Sequence, residues 1–132
     1  MADEFIPEDI KQFIVGKIHS VAQLEGLLLL RRDPLVEWEA EALARRLYIS
    51  QGETAEVLSH LHEEGLLALT VSAPATYKYQ PDSPHLILLV DRLAEVYAKY
   101  LVSVTNLIHS TAPPRVQKFA DAFRIRKGAP KS

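Results

Sequence analysis

The chain has no cysteine among its 132 residues, which removes disulfides, thiol nucleophiles and thiolate metal sites at once, and fits a reducing cytoplasm. Glycine is scarce, five in all, leaving little material for phosphate-cradling loops. No GxSxG, phosphate-binding glycine loop or dinucleotide fingerprint occurs. The apolar run Leu27 to Leu30 is far too short to span a bilayer. Met1-Ala-Asp-Glu-Phe-Ile-Pro7 has neither a basic nor an apolar region, so a secretory signal is not expected and a cytoplasmic location is. One further lack is local: Ser50–Glu64 contains no Lys or Arg, but four glutamates and two histidines.

What is present is ordinary for a globular protein of about one domain: 48% hydrophobic and 24% charged residues. The net charge of −2 hides an asymmetry. From Arg115 onward there are six Lys/Arg and one acid, Asp121, whereas the preceding 114 residues carry nine basic and sixteen acidic residues. An acidic body with a basic tail suggests two functional surfaces.

Pro7-Glu8-Asp9 reads as a helix start, with proline in the first turn and carboxylates at the positive end of the macrodipole. Ile10, Phe13, Ile14 and Ile18 then recur at helical spacing. Ser20 and Gln23 have capping-box spacing for a second helix, Val21 to about Arg32, which Asp33-Pro34 ends. Leu35-Val36-Glu37-Trp38 can form a short strand.

Residues 38–72 carry the most informative pattern: helix, tight turn, helix, strand. The first helix is Trp38 to Leu47 and the turn is Tyr48-Ile49-Ser50. The second, Gln51 to Glu64, starts on a Ser50/Glu53 capping box, buries Ala55, Val57, Leu58 and Leu61, and stops at Gly65. The arms Leu67–Val71 and Thr76–Gln80 read as a β-hairpin. After Ser83-Pro84, an N-cap and N1 pair, one long helix is expected over about 84–110. Its apolar stripe includes Leu86, Leu89, Leu93, Val96, Tyr97, Tyr100, Val104 and Leu107. Residues 1–110 would thus form the domain with its flanking helices, and residues 111–132 a basic tail, part of it an amphipathic helix or disordered.

The segments Ala42–Ser50 and Val57–Leu67, with their leucine-alanine helix, Ser cap and leucine-acid-glycine-leucine ending, resemble the winged helix-turn-helix domains of bacterial transcriptional regulators over about residues 20–82. The resemblance implies a mainly α fold with a small β-hairpin wing at about 67–80, a recognition helix at Gln51–Glu64 and double-stranded DNA as partner. It also implies that the long helix pairs with its two-fold mate, making the stripe just named a homodimer seam. DNA-facing positions would be Gln51, Thr54, Ser59 and Lys78, with Arg45 and Arg46 on phosphates. The acidity of the recognition helix runs against this, because phosphate contacts dominate affinity for DNA.

Other constellations are weaker. His60 and His62 stand two apart, on different helix faces, so they do not form a ligand pair like residues four apart, and no metal or cofactor is expected. Glu37, Glu39, Glu41, Glu63 and Glu64 fit solvated helix faces better than a catalytic pair, and an enzyme is not expected. Arg45 and Arg46 can be a solvated face instead of phosphate contacts. Tyr77 and Tyr79 point the same way, toward packing or toward a recognition surface. The tail residues Arg115, Lys118, Phe119, Phe123, Arg124 and Arg126 combine charge with aromatics, which suits docking on a protein more than a membrane or a frayed end. Two functions stay open: a homodimeric DNA-binding regulator, or a winged-helix adaptor that binds protein through its acidic helix and tail.

Overall fold

A computed structural model of the chain describes residues 5–112. Elements follow in the order α1 (Glu8–Lys17), α2 (Val21–Arg32), α3 (Ala40–Leu47), α4 (Gln51–Glu63), β1 (Leu67–Thr70), β2 (Thr76–Tyr79), α5 (Pro84–Lys99) and α6 (Leu101–Thr111). The expected caps are in place. Ser20 Oγ accepts from the Gln23 amide at 3.1 Å, Ser50 Oγ from the Glu53 amide at 3.0 Å, and Ser83 Oγ from the Leu86 amide at 3.2 Å. Each satisfies an amide with no partner inside its helix, worth about 1 kcal/mol apiece.

One core joins all the helices. Ile10 and Ile14 of α1, Leu24, Leu27 and Leu30 of α2, Leu43 of α3, Leu58 and Leu61 of α4, Leu93 of α5 and Ile108 of α6 are fully buried in it. Burying each such side chain contributes about 1.5–3 kcal/mol. Gly26 lets α2 approach α4 closely, since a Cβ there would stand 3.2 Å from Val57 Cγ1.

β1 and β2 pair antiparallel, with Leu67 opposite Tyr79 and Leu69 opposite Tyr77. Of the strand expected at 35–38 only a single bridge forms: the Trp38 amide donates to the Tyr77 carbonyl at 2.7 Å, and the Tyr77 amide returns a bond to Trp38 at 2.9 Å. That bridge ties the hairpin to the start of α3. Leu35 and Val36 beside it are exposed.

The long helix expected over 84–110 is two helices. Tyr100, at φ −129° and ψ 54°, leaves helical geometry, closing α5 through its amide to Val96 and opening α6 through its carbonyl to Val104. The residues after it, Leu101-Val102-Ser103-Val104, include two valines, whose stiff χ1 lowers helix propensity. The break lets both halves pack on α1 and on each other.

Part of the expected dimer seam lies inside the protomer. Leu89, Leu93, Val104 and Leu107 are buried in the chain's own core. Leu86, Val96 and Tyr97 are half-buried against it, and the Tyr97 hydroxyl donates to Glu25 Oε2 at 2.6 Å. The Tyr100 ring stacks on Phe5, centroids 5.2 Å apart. Apolar side chains left outside on these helices are Ile87, Leu88, Leu101 and Val102. Among the described residues no single helix is long and apolar enough to cross a membrane. The tail residues Arg115, Lys118, Phe119, Phe123, Arg124 and Arg126 lie outside the described residues.

Candidate nucleic-acid interface

α4 is held by one face and shows the other. Thr54, Val57, Leu58 and Leu61 face inward, a 0, 3, 4, 7 spacing that fits the helical repeat. Gln51, Gly52, Glu53, Ala55, Glu56, Ser59, His62 and Glu63 are exposed.

This corrects one expected DNA contact. Thr54 is 0% exposed, and its Oγ1 donates to the Ser50 carbonyl at 2.9 Å, so its side chain has no route to a base edge. The same geometry places Ala55, expected inside, on the surface. The signal lay in the sequence, because Thr54 and not Ala55 completes the stripe with Val57, Leu58 and Leu61.

The remaining expected residues sit as follows. Gln51 and Ser59 lie on the outer face of α4. Arg45, in the last turn of α3, donates to Glu41 Oε2 at 3.1 Å, and both side chains are well exposed. Such a pair is worth a few tenths of a kcal/mol and breaks readily for a better partner. Arg46 holds its guanidinium 5.6 Å from the centre of the Trp38 ring, a cation–π contact. Lys78 is half-buried on β2, across the pleat from Tyr77 and Tyr79.

Those two tyrosines pack against the core. Burial pushes the Tyr79 hydroxyl up to about 12, with Asp91 adding to the rise and Arg31 opposing it. Glu37 sits at the base of the wing, where it accepts from Thr76 Oγ1 at 2.7 Å. Hydrogen bonds from Thr76 and Thr70 hold its carboxyl below the usual range.

Between the N-terminal ends of α3 and α4 and the wing lies an open cleft of about 260 Å³, lined by Glu39, Glu41, Gln51, Ala55, Pro74 and Tyr77 among others. It presents two carboxylates on the side of the molecule where α4 and the wing meet. Across residues 37–80 there are seven glutamates against Arg45, Arg46 and Lys78.

The two histidines of α4 diverge, as their spacing requires. His60 Nε2 lies 2.7 Å from the Lys17 carbonyl, while the His62 ring meets Tyr77 edge-on at 6.2 Å. No cluster of three or more His, Asp or Glu that could hold a metal occurs among the described residues.

One residue at this surface drew no attention in the sequence. Tyr48, in the turn between α3 and α4, has φ 60° and is 93% exposed. The absence of glycine from Tyr48-Ile49-Ser50 was the available signal, since such turns often contain one.

No protein-family model matches the chain, and no curated protein matches it. Two solved structures are similar to it. Lactococcus lactis ZitR, in a cysteine-to-serine mutant form, shares 17% identity with a TM-score of 0.47, over 78% of this chain and 68% of that one. AdcR, described as a zinc-dependent MarR family transcriptional regulator in its Zn(II)-bound state, shares 21% identity with a TM-score of 0.43, over 77% and 68%. The architecture itself rests on the geometry above: α3, a three-residue turn, an outward-facing α4, and a hairpin bridged back to Trp38. The chain is a mainly α winged helix-turn-helix protein.

Proposed function

We propose that the chain is a DNA-binding transcriptional regulator that acts as a homodimer, with α4 as its recognition helix. The observation that carries this reading is the placement of α4: capped at Ser50, anchored along one face, with Gln51 and Ser59 outward and the wing beside it. A glutamine at the start of such a helix suits bidentate pairing with adenine in the major groove. Lys78 and the two arginines of α3 supply phosphate contacts, Arg45 by exchanging Glu41 for a phosphate oxygen. For the dimer, Leu101 and Val102 at the α5–α6 break supply exposed apolar groups, next to the Phe5–Tyr100 stack. No residue has a catalytic or cofactor role in this reading.

A second reading is favoured by a specific observation: Glu53, Glu56 and Glu63 are exposed on α4, where they repel phosphates. On that reading the chain is an adaptor that binds protein through its acidic helix, with Arg115, Lys118, Phe119, Phe123, Arg124 and Arg126 docking on a partner.

Binding to mixed-sequence duplex DNA across a salt series separates the two. Three cations per protomer predict a log–log slope of about −2.7 per protomer at most, since each neutralised phosphate contributes about −0.9. An adaptor gives no complex at low salt, and deleting residues 115–132 then removes a co-purifying partner without loss of folding.

A further inference from the structure

Tyr48 is the only non-glycine residue with positive φ among the described residues, at φ 60° and ψ 39°. That left-handed conformation is free of cost only for glycine, and a bulky aromatic there is an outlier. A residue in such a place ordinarily gains burial in return. Tyr48 does not, for its side chain is 93% exposed. Among the described residues its hydroxyl has no hydrogen-bond partner and its ring no ring contact. Its amide closes α3 on the Ala44 carbonyl, a bond that glycine makes equally well. Folding alone therefore gives no reason for a tyrosine here.

Its neighbourhood supplies one. Arg45 and Arg46 are exposed in the turn just before it, and residues 42–52 hold both arginines and no carboxylate. In a motif that is acidic elsewhere, the chain here carries Arg45, Arg46 and Tyr48 close in sequence, with Arg45 turned to Glu41 and Arg46 to Trp38. Among the described residues Glu41 is the one acid in contact with this stretch, through Arg45. Guanidinium and phenol donors together match phosphodiester oxygens, which accept from Arg and Tyr alike and set the register of a protein on the duplex. A phenol fixed at a turn, with no rotatable chain beyond two torsions, is also ordered at low entropic cost.

We propose that Tyr48 is a DNA-backbone contact, its hydroxyl donating to a phosphodiester oxygen beside those held by Arg45 and Arg46. This rests on the DNA-binding reading above and adds to it a residue that carries no charge. The test uses the full chain and a fluorescein-labelled mixed-sequence duplex, with affinity measured at several salt concentrations for wild type, Tyr48→Phe, Tyr48→Gly and Arg46→Ala. Both Tyr48 variants should bind about fivefold more weakly at every salt, as for one lost hydrogen bond, with the salt slope unchanged. Arg46→Ala should weaken binding and flatten the slope by about one. Tyr48→Gly should melt at or above the wild-type temperature, because glycine takes the turn freely.

Wild-type affinity in both Tyr48 variants overturns the proposal and leaves the DNA-binding reading standing. Loss in Tyr48→Gly but not in Tyr48→Phe overturns hydroxyl donation in favour of ring packing. A Tyr48→Gly protein that melts below wild type shows the tyrosine serving the fold, which also overturns it. No duplex binding by wild type at low salt overturns both this proposal and the reading it rests on.

Discussion

His60, on α4, is held through Nε2 to the main-chain carbonyl of Lys17, 2.7 Å away at the end of α1. The same corner brings the His19 ring to 4.9 Å from that of His60 and joins Lys17 Nζ to Glu64 Oε1 at 3.2 Å. These contacts tie α4 to α1, which packs against α5 and α6. They link α4 to the half of the molecule formed by α1, α5 and α6, in addition to its packing on α2.

This corner should make stability sensitive to pH. Burial, reinforced by His60 and opposed by Glu64, lowers the His19 pKa below its ordinary 6.5. The folded state then prefers the neutral ring, so the unfolded chain binds more protons as pH falls through that range. The stabilisation is full above about 6.5 and is lost as pH drops from there toward the lower folded value. The melting temperature of wild type should fall between about pH 7.5 and about pH 5.5, with a shallower fall in His19→Gln. Equal falls in the two proteins would contradict the assignment.

Gly65 tests the end of α4. It has φ +79°, and a Cβ added there would collide with the Asp82 carboxylate, whose own amide donates to the Gly65 carbonyl at 2.9 Å. Gly65→Ala should cost about 1–2 kcal/mol from the left-handed backbone alone, read as a lower urea midpoint. Gly16→Ala, where a Cβ on α1 meets nothing within 4 Å, should stabilise the protein by about half a kcal/mol, read as a higher midpoint.

Two leucines separate the core from the proposed dimer surface. Leu93 is fully buried, so Leu93→Ala should destabilise the protein by about 2–5 kcal/mol. Leu101 is 54% exposed and Val102 67%. A Leu101→Asp, Val102→Asp double variant should keep its helical circular dichroism while its mass by light scattering drops to that of a monomer. An unchanged dimer mass would move the interface elsewhere.

How far these features were legible in the sequence depends on what each one obeys. Helix starts at Ser20, Ser50 and Ser83 were readable because a cap is a local interaction between residues three apart. The hairpin and the Gly65 stop were readable for the same reason. The break at Tyr100 was not, since the apolar stripe runs through it and only packing on α1 decides that the chain bends there. Leu89, Leu93, Val104 and Leu107 of the expected dimer seam lie in the core, a distinction periodicity cannot make because both interiors and interfaces are apolar. Thr54 was misplaced by its chemistry: a hydroxyl looks like a reader of bases, but its position on the stripe sends it inward. For Tyr48 the missing turn glycine was the one signal, because what sets the residue apart is a backbone angle and an exposure.

The central claim, that α4 and its basic corner meet DNA, is tested most directly by the affinity of the full chain for a mixed-sequence duplex from low to physiological salt. The expected result is a complex whose affinity falls as salt rises, and a flatter fall when Arg45 and Arg46 are both replaced by alanine. Absence of any complex at the lowest salt, from a folded protein, would contradict it and leave the seven glutamates of residues 37–80 as the face of a protein-binding adaptor.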